Sequence, residues 1–401
     1  MPARSAIFAL LLSAAVGAAA EPQLRTLADT SLSGELVGIS GKAVILKVAG
    51  KNVETPLDQV LTIDFASVPK YPPATDAKYI DVELTDGTLL HCERFAMKGK
   101  EAQLTMLSGQ ALKFPLEQVR WYLHEPNDRT LEEYWDKFLA QNAKFDQLVI
   151  KPSAPVPGNV LDSVKGTVGD ADKDGTKIDF TPRLGPPRKI SPPHGIIFQR
   201  DPNPKAAPVV CKVYDIHANV IVASAVALEG DKVNVTTPDG VKLELASSSL
   251  ARLDYSRGKL VYLSDWDSKV IPPNPLALLV MFRRDKNLDG GPITLAGRAA
   301  FSKGLAIHAR AALEYDLAGE FREFKAVIGV DELVPAADGV TKVVFKGDGK
   351  ELKIYEVSRK DKPLDVTLSI HKVKVLTIEV LSAGKLPLGH HVDLADARVT
   401  K

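Results

Sequence analysis

One pentapeptide occurs twice in this chain, as PLDQV at residues 56–60 and as PLEQV at 115–119. The segments that lead into it are alike. Residues 34–65 and 82–123 both run through alternating apolar residues, a turn with Gly and Lys, a second alternating run and another Gly turn. Each then reaches the pentapeptide and a last apolar run. Alternation with a period of two, bounded by glycine turns, predicts strands joined as hairpins. Residues 164–198 and 220–255 keep the same order of strands and turns without the pentapeptide. A chain that repeats one such pattern is constrained to fold as a series of similar small β units.

Units of this length, with about five short strands each, resemble small barrels of the SH3 or Sm type. Pairing of units into shared sandwiches fits the same pattern. Residues 170–175, DADKDG, look like the opening of a calcium loop. They fall where the other copies have their first hairpin turn. Position twelve of such a loop would be Thr181 rather than glutamate, and the flanks read as strands. Asp and Gly are favoured in hairpin turns for their own reasons. The expectation is a turn, with at most a weak calcium contact and no cofactor.

Between the second and third copies, residues 127–149 have helical spacing. Asp128 and Thr130 are candidate caps, Glu132 and Glu133 suit the first turn, and Leu131, Tyr134, Trp135, Phe138 and Leu139 form an apolar face. Trp135 is expected to pack this helix on a neighbouring barrel. PSAPVPGN at 152–159 reads as a linker.

The chain opens with Arg4, a short apolar run and small residues ending at Ala20. This predicts a secretory signal cleaved near Ala20 and a secreted, periplasmic or cell-envelope location. PLALLVMF at 275–282 is the most apolar later window and reads as a buried strand, so no transmembrane segment is expected. The 51 basic and 50 acidic residues nearly cancel, which argues against nucleic-acid binding. Cys92 and Cys211 leave two readings open, a single bridge or two buried thiols.

From about residue 257 the pattern becomes that of an all-β domain of sandwich size. KGLAIHA at 303–309, FREFKAVIGVDE at 321–332, VVFKGDGKEL at 343–352, PLDV at 363–366 and HVDLADAR at 391–398 occur in that order. This set resembles the NPCBM family of carbohydrate-binding modules over residues 257–401. The resemblance implies a galactose-binding-like β-sandwich, a jelly roll. Its signature falls on Gly304, His308, Asp331, Gly347, Asp348, His391 and Asp393. Leu394 stands where many relatives carry Trp.

The expected fold class is therefore all-β: repeated SH3/Sm-like units followed by a galactose-binding-like sandwich, with one linking helix. The expected divisions are 1–20 signal, 21–125 two repeats, 126–150 helical linker, 151–256 two further repeats and 257–401 the sandwich. Candidate ligand-binding residues are His308, Asp331, His391 and Asp393. His391 and Asp393 are two apart on one strand and share a face. A polar network joining two strands, with the carboxylate orienting a histidine, fits the same residues. No catalytic motif of the nucleophile-elbow, zinc-protease or redox type occurs, so no enzyme activity is expected. The leading functional expectation is a secreted, non-catalytic protein that binds carbohydrate. The alternative is an envelope scaffold that binds other proteins through its β modules.

Overall fold

The structure is a computed structural model that describes residues 21–73, 78–141, 144–152, 160–201, 203–271, 282–331, 339–382 and 391–401. The expected signal at 1–20, residues 153–159 of the linker and residues 275–281 of the apolar window lie outside the described residues. Described strands greatly outnumber helical elements, so the fold is all-β. Two compact units are present, Met1–Tyr255 and Ser256–Lys401. Among the described residues no helix is long and apolar enough to cross a membrane.

The first unit contains four copies of one strand plan. In the second copy the strands are Ile80–Leu84, Leu89–Lys98, Glu101–Met106, Ala111–Pro115 and Val119–His124. The last strand pairs with the first, the first with the second, and the ladder then runs on in sequence order. The other copies follow the same order. The long second strand is broken in two in the first and fourth copies, as Ser31–Ser33 with Glu35–Ile39 and Val220–Ala223 with Ala225–Glu229.

The repeated pentapeptide has a physical role. Pro56 and Pro115 end the fourth strands, Leu116 fills the core, and Leu116–Gln118 make a 3-10 turn into the last strand. Residues 57–59 turn likewise, with Gln59 N–H donating to the Pro56 carbonyl at 2.9 Å. Ser247–Ser249 serve this purpose in the fourth copy without the shared sequence.

Last strands join the copies as first with fourth and second with third. Val60–Asp64 of the first lies against Leu250–Asp254 of the fourth, with Ile63 opposite Leu253. Val119–His124 of the second lies against Gly195–Ile197 of the third, with Tyr122 opposite Ile196. The nested arrangement covers the hydrogen-bonding edge of every last strand.

The helix is shorter than expected. It spans Arg129–Leu139, capped by Asp128, whose side chain accepts from Thr130 N–H at 3.1 Å. Trp135 does pack it onto the second and third copies, its ring 5.3 Å from that of Trp121 beside Ile197. Residues 146–150 are a correction: Asp146–Ile150 is the first strand of the third copy, not helix. Asp146 is buried there, and its carboxylate accepts from Val168 N–H at 2.8 Å and Gln199 N–H at 2.7 Å.

DADKDG closes the hairpin between Asp162–Ala171 and Ile178–Pro182. Asp172 N–H donates to Lys177 O, Gly175 N–H donates to Asp172 O, and Gly175 has φ +78°. Asp172 pairs with Lys189. Cys92 and Cys211 are both buried and are not joined by a disulfide.

The second unit is a sandwich of two antiparallel sheets. One orders Phe282–Arg284, Gly304–His308, His391–Thr400, Glu323–Gly329 and Leu364–Ser369, with Leu260–Tyr262 also on the last strand. The other orders Lys269–Ile271, Ala311–Asp316, Val375–Ser382, Thr341–Gly347 and Lys350–Val357. Phe324 and Phe345 meet between the sheets at 5.1 Å. Leu394 is fully buried in this core, so the departure from Trp falls on a packing position.

Candidate functional site

The last strand of the sandwich is buried on both faces over 391–395. Val392 and Leu394 point into the core. His391, Asp393 and Ala395 therefore share the other face. Residues 293–301 cover it, where Ile293 and Leu295 pack on Ala395. At Asp396, φ +54°, the pairing with the strand Glu323–Gly329 shifts by one residue. The bulge returns Ala397 and Val399 to the core.

Neighbouring strands complete the face. Ala306 is the register partner of Asp393 on one side and Gly329 on the other, and His308 is opposite His391. Partners across such a ladder lie about 5 Å apart and diagonal neighbours about 7–8 Å. All three residues are thus in one small region. The histidines are at its edge: His308 is half-buried with Nδ1 2.9 Å from the Ala309 carbonyl oxygen, and His391 is buried.

Asp331 joins from the end of the adjacent strand. It is buried, and its carboxylate accepts from Thr294 N–H at 3.2 Å, Thr294 Oγ1 at 3.4 Å and Asn287 Nδ2 at 3.4 Å. Arg359 Nη1 donates to its main-chain oxygen at 3.3 Å. Asp393 is wholly buried, and among the described residues no N–H or hydroxyl reaches either of its oxygens. Its polar neighbour is the Asp331 carboxyl. Burial and the proximity of Asp331 push Asp393 well above the usual carboxylate range.

This arrangement ties a strand to the covering segment. It presents no carboxylate to solvent. Among the described residues no group of three or more His, Cys, Asp or Glu is placed to hold a metal ion. Accessible polar groups lie next to the pair. A hollow of about 120 Å³ is lined by Ala296, Gly329, Val330, Arg359, Asp361 and Pro363. Arg359 and Asp361 were not singled out in the sequence. They follow an ordinary strand end, and only the approach of Asp331 gives them a setting. No fully exposed aromatic side chain occurs in the described part of the sandwich; Trp266, for one, is half-buried against Phe321 at 5.5 Å.

Other signature residues have structural tasks. Gly304 has φ +151°, and a Cβ there would lie 2.7 Å from the Leu394 carbonyl oxygen. Asp348, with φ +49°, accepts from Lys374 N–H at 3.0 Å and Val375 N–H at 2.9 Å, tying a hairpin to the next strand.

The family model described as NPCBM/NEW2 domain matches residues 260–400. No curated protein matches the chain. Similar solved structures include a CBM51 module of Clostridium perfringens GH95, in complex with methyl-galactose. It is 21% identical with TM-score 0.32, over 35% of this chain and 99% of that one. Tandem CBM51 modules of a family 98 glycoside hydrolase from Streptococcus pneumoniae are 14% identical with TM-score 0.31, over 94% and 87%. CBM51-2, in complex with GlcNAc, and the INT domains of Clostridium perfringens ZmpB are 13% identical with TM-score 0.33, over 64% and 48%. These likenesses carry no ligand or residue role across. The family match, the five motifs and the sandwich agree: residues 260–400 are an NPCBM/NEW2 domain.

Proposed function

We propose that this is a secreted, non-catalytic protein whose carboxy-terminal domain binds glycan. The family match over residues 260–400 carries the reading. Within the domain, the hollow beside Asp331 is the proposed sugar contact. Arg359 supplies donors and Asp361 supplies acceptors for hydroxyls. The Asp331–Asp393 pair supports that hollow from behind rather than touching sugar. The non-catalytic reading rests on the sequence, which has no nucleophile-elbow, zinc-protease or redox motif. Secretion rests on the signal pattern of residues 1–20.

The test is a glycan array probed with the mature chain and with an Arg359→Ala variant. Retention of a glycan class by wild type, lost in the variant at unchanged melting temperature, is expected. Retained glycans should be recovered uncleaved. An array on which wild type retains nothing would remove the reading.

A further inference from the structure

The amino-terminal unit contains a cleft of about 650 Å³ among the second copy, the fourth copy and the helix. Residues 68–73 form one of its sides. Tyr71, Tyr79, Trp135 and Tyr214 line it. Tyr71 is 44% exposed and Tyr214 is half-buried, so both rings are reachable from solvent. Trp135 is 5% exposed, and its Nε1–H has no hydrogen-bond partner among the described residues. That N–H is left for an acceptor atom of a bound molecule, separate from any cationic group, or for water.

The polar groups define what that occupant is. Asp81 and His91 line the cleft, with Asp81 Oδ1 2.5 Å from His91 Nδ1. His91 Nε2 lies 3.2 Å from the Ala218 carbonyl oxygen. Both imidazole nitrogens are engaged, so the pair offers no free base. Glu132 and Asp136 are one helical turn apart and both line the cleft. Both are exposed, and neither side chain has a hydrogen bond or ion pair among the described residues. Acids nearby that do not line the cleft are neutralised: Glu133 by Lys137, Glu125 by Lys78 and Lys151, and Asp128 by Lys151.

Aromatic faces beside unneutralised carboxylates attract organic cations, through the ring quadrupole and through charge. Tyr71 already displays this property within the chain: Lys70, which also lines the cleft, has its Nζ 5.0 Å from the ring centre, a cation that an incoming ligand would displace or join. We propose that this cleft binds a ligand carrying an ammonium or guanidinium group, seated between the tyrosine rings and the Glu132 and Asp136 carboxylates. The cation belongs to a Lys or Arg side chain of a peptide or to an amino sugar. The proposal is independent of the glycan reading of the sandwich, which concerns the other unit.

The experiment titrates the full mature chain with N-acetyl-arginine amide, N-acetyl-lysine amide and glucosamine. The neutral counterparts are N-acetyl-citrulline amide and N-acetylglucosamine. Calorimetry reads binding, and the indole N–H resonance of Trp135 reads its place. Saturable binding of a cationic probe and none of its neutral counterpart is expected, weakening with salt. The cation that binds tells peptide from amino sugar. A Glu132→Gln, Asp136→Asn double variant should weaken binding by roughly tenfold or more. Tyr71→Leu should also weaken it, while Glu133→Gln, off the cleft, should match wild type. These positions are exposed, so melting temperatures should hold. Failure of every cationic probe to saturate, equal binding of the neutral counterparts, or wild-type affinity in the double variant would each overturn the proposal.

Discussion

Asp393 and Asp331 meet behind the outer face of the sandwich, both buried, and the proximity of Asp331 adds to the burial that raises the pKa of Asp393. Asp331 is held by donors from the covering segment, whereas Asp393 has only Asp331. The relationship favours the neutral form of Asp393.

Replacement of Asp393 should therefore depend on what replaces it. Asp393→Asn retains the shape and a donor toward Asp331, and should be at least as stable as wild type at pH 7. Asp393→Ala leaves Asp331 facing an empty space, at a cost of about 1–3 kcal/mol. Urea unfolding followed through Trp266, the tryptophan of this domain, checks both. Equal loss in the two variants would show that the neutral form of Asp393 is unimportant.

The same pair sets a pH dependence. The folded value of Asp393 is raised above its unfolded value of about 4. Above pH 4 the unfolded chain releases this proton while the folded domain retains it. Its contribution is full below pH 4 and is lost as pH rises toward the folded value. The slope reaches at most about 1.4 kcal/mol per pH unit. Unfolding curves between pH 4 and 8 should show wild type falling relative to Asp393→Asn. Parallel curves would contradict the assignment.

Gly304→Ala should destabilise the sandwich by about 1–3 kcal/mol. Its φ of +151° is a glycine conformation, and the added Cβ would meet the Leu394 carbonyl. Thermal melting measures the loss; an unchanged midpoint would mean that the strands separate cheaply there.

In the amino-terminal unit Asp146→Ala should cost on the order of 2–3 kcal/mol. It strips charge-assisted acceptors from the part-buried N–H groups of Val168 and Gln199. Denaturant midpoints read through Trp121 and Trp135 would reveal it. A loss below a few tenths would mean that water replaces the carboxylate.

The DADKDG turn should not be a calcium site. A variant with Asp170→Ala and Asp172→Ala is expected to give the same calorimetric calcium titration as wild type. A high-affinity site present in wild type and absent in the variant would refute the hairpin reading.

Much of this protein is legible from local rules. Period-two alternation and glycine turns determined the all-β class, because side-chain direction in a strand depends only on position parity. The repeated pentapeptide located the turn before the last strand, since proline ends a ladder and leucine plugs the core wherever they stand. Asp128 capped the helix through a bond two residues long. Five ordered motifs marked the NPCBM domain.

Other features required the tertiary structure. Residues 145–149 fit a helical face as well as a strand, and Asp146–Ile150 became a strand because Gly195–Ile197 and Asp162–Ala171 flank it. Each repeat offers a last-strand edge, and nothing in the local pattern says which edge will receive it. The first copy therefore meets the fourth only through long-range packing. His391 and Asp393 share a face by sequence alone, but the partnership of Asp393 with Asp331 joins different strands. The cleft beside Glu132 and Asp136 likewise gathers residues from distant segments. The sequence by itself determined which segments are strands, turns and motifs, since those follow from backbone geometry over a few residues. Tertiary structure alone decided which edges pair, which acids meet and where a cavity opens, since those energies exist only once distant segments exclude water together.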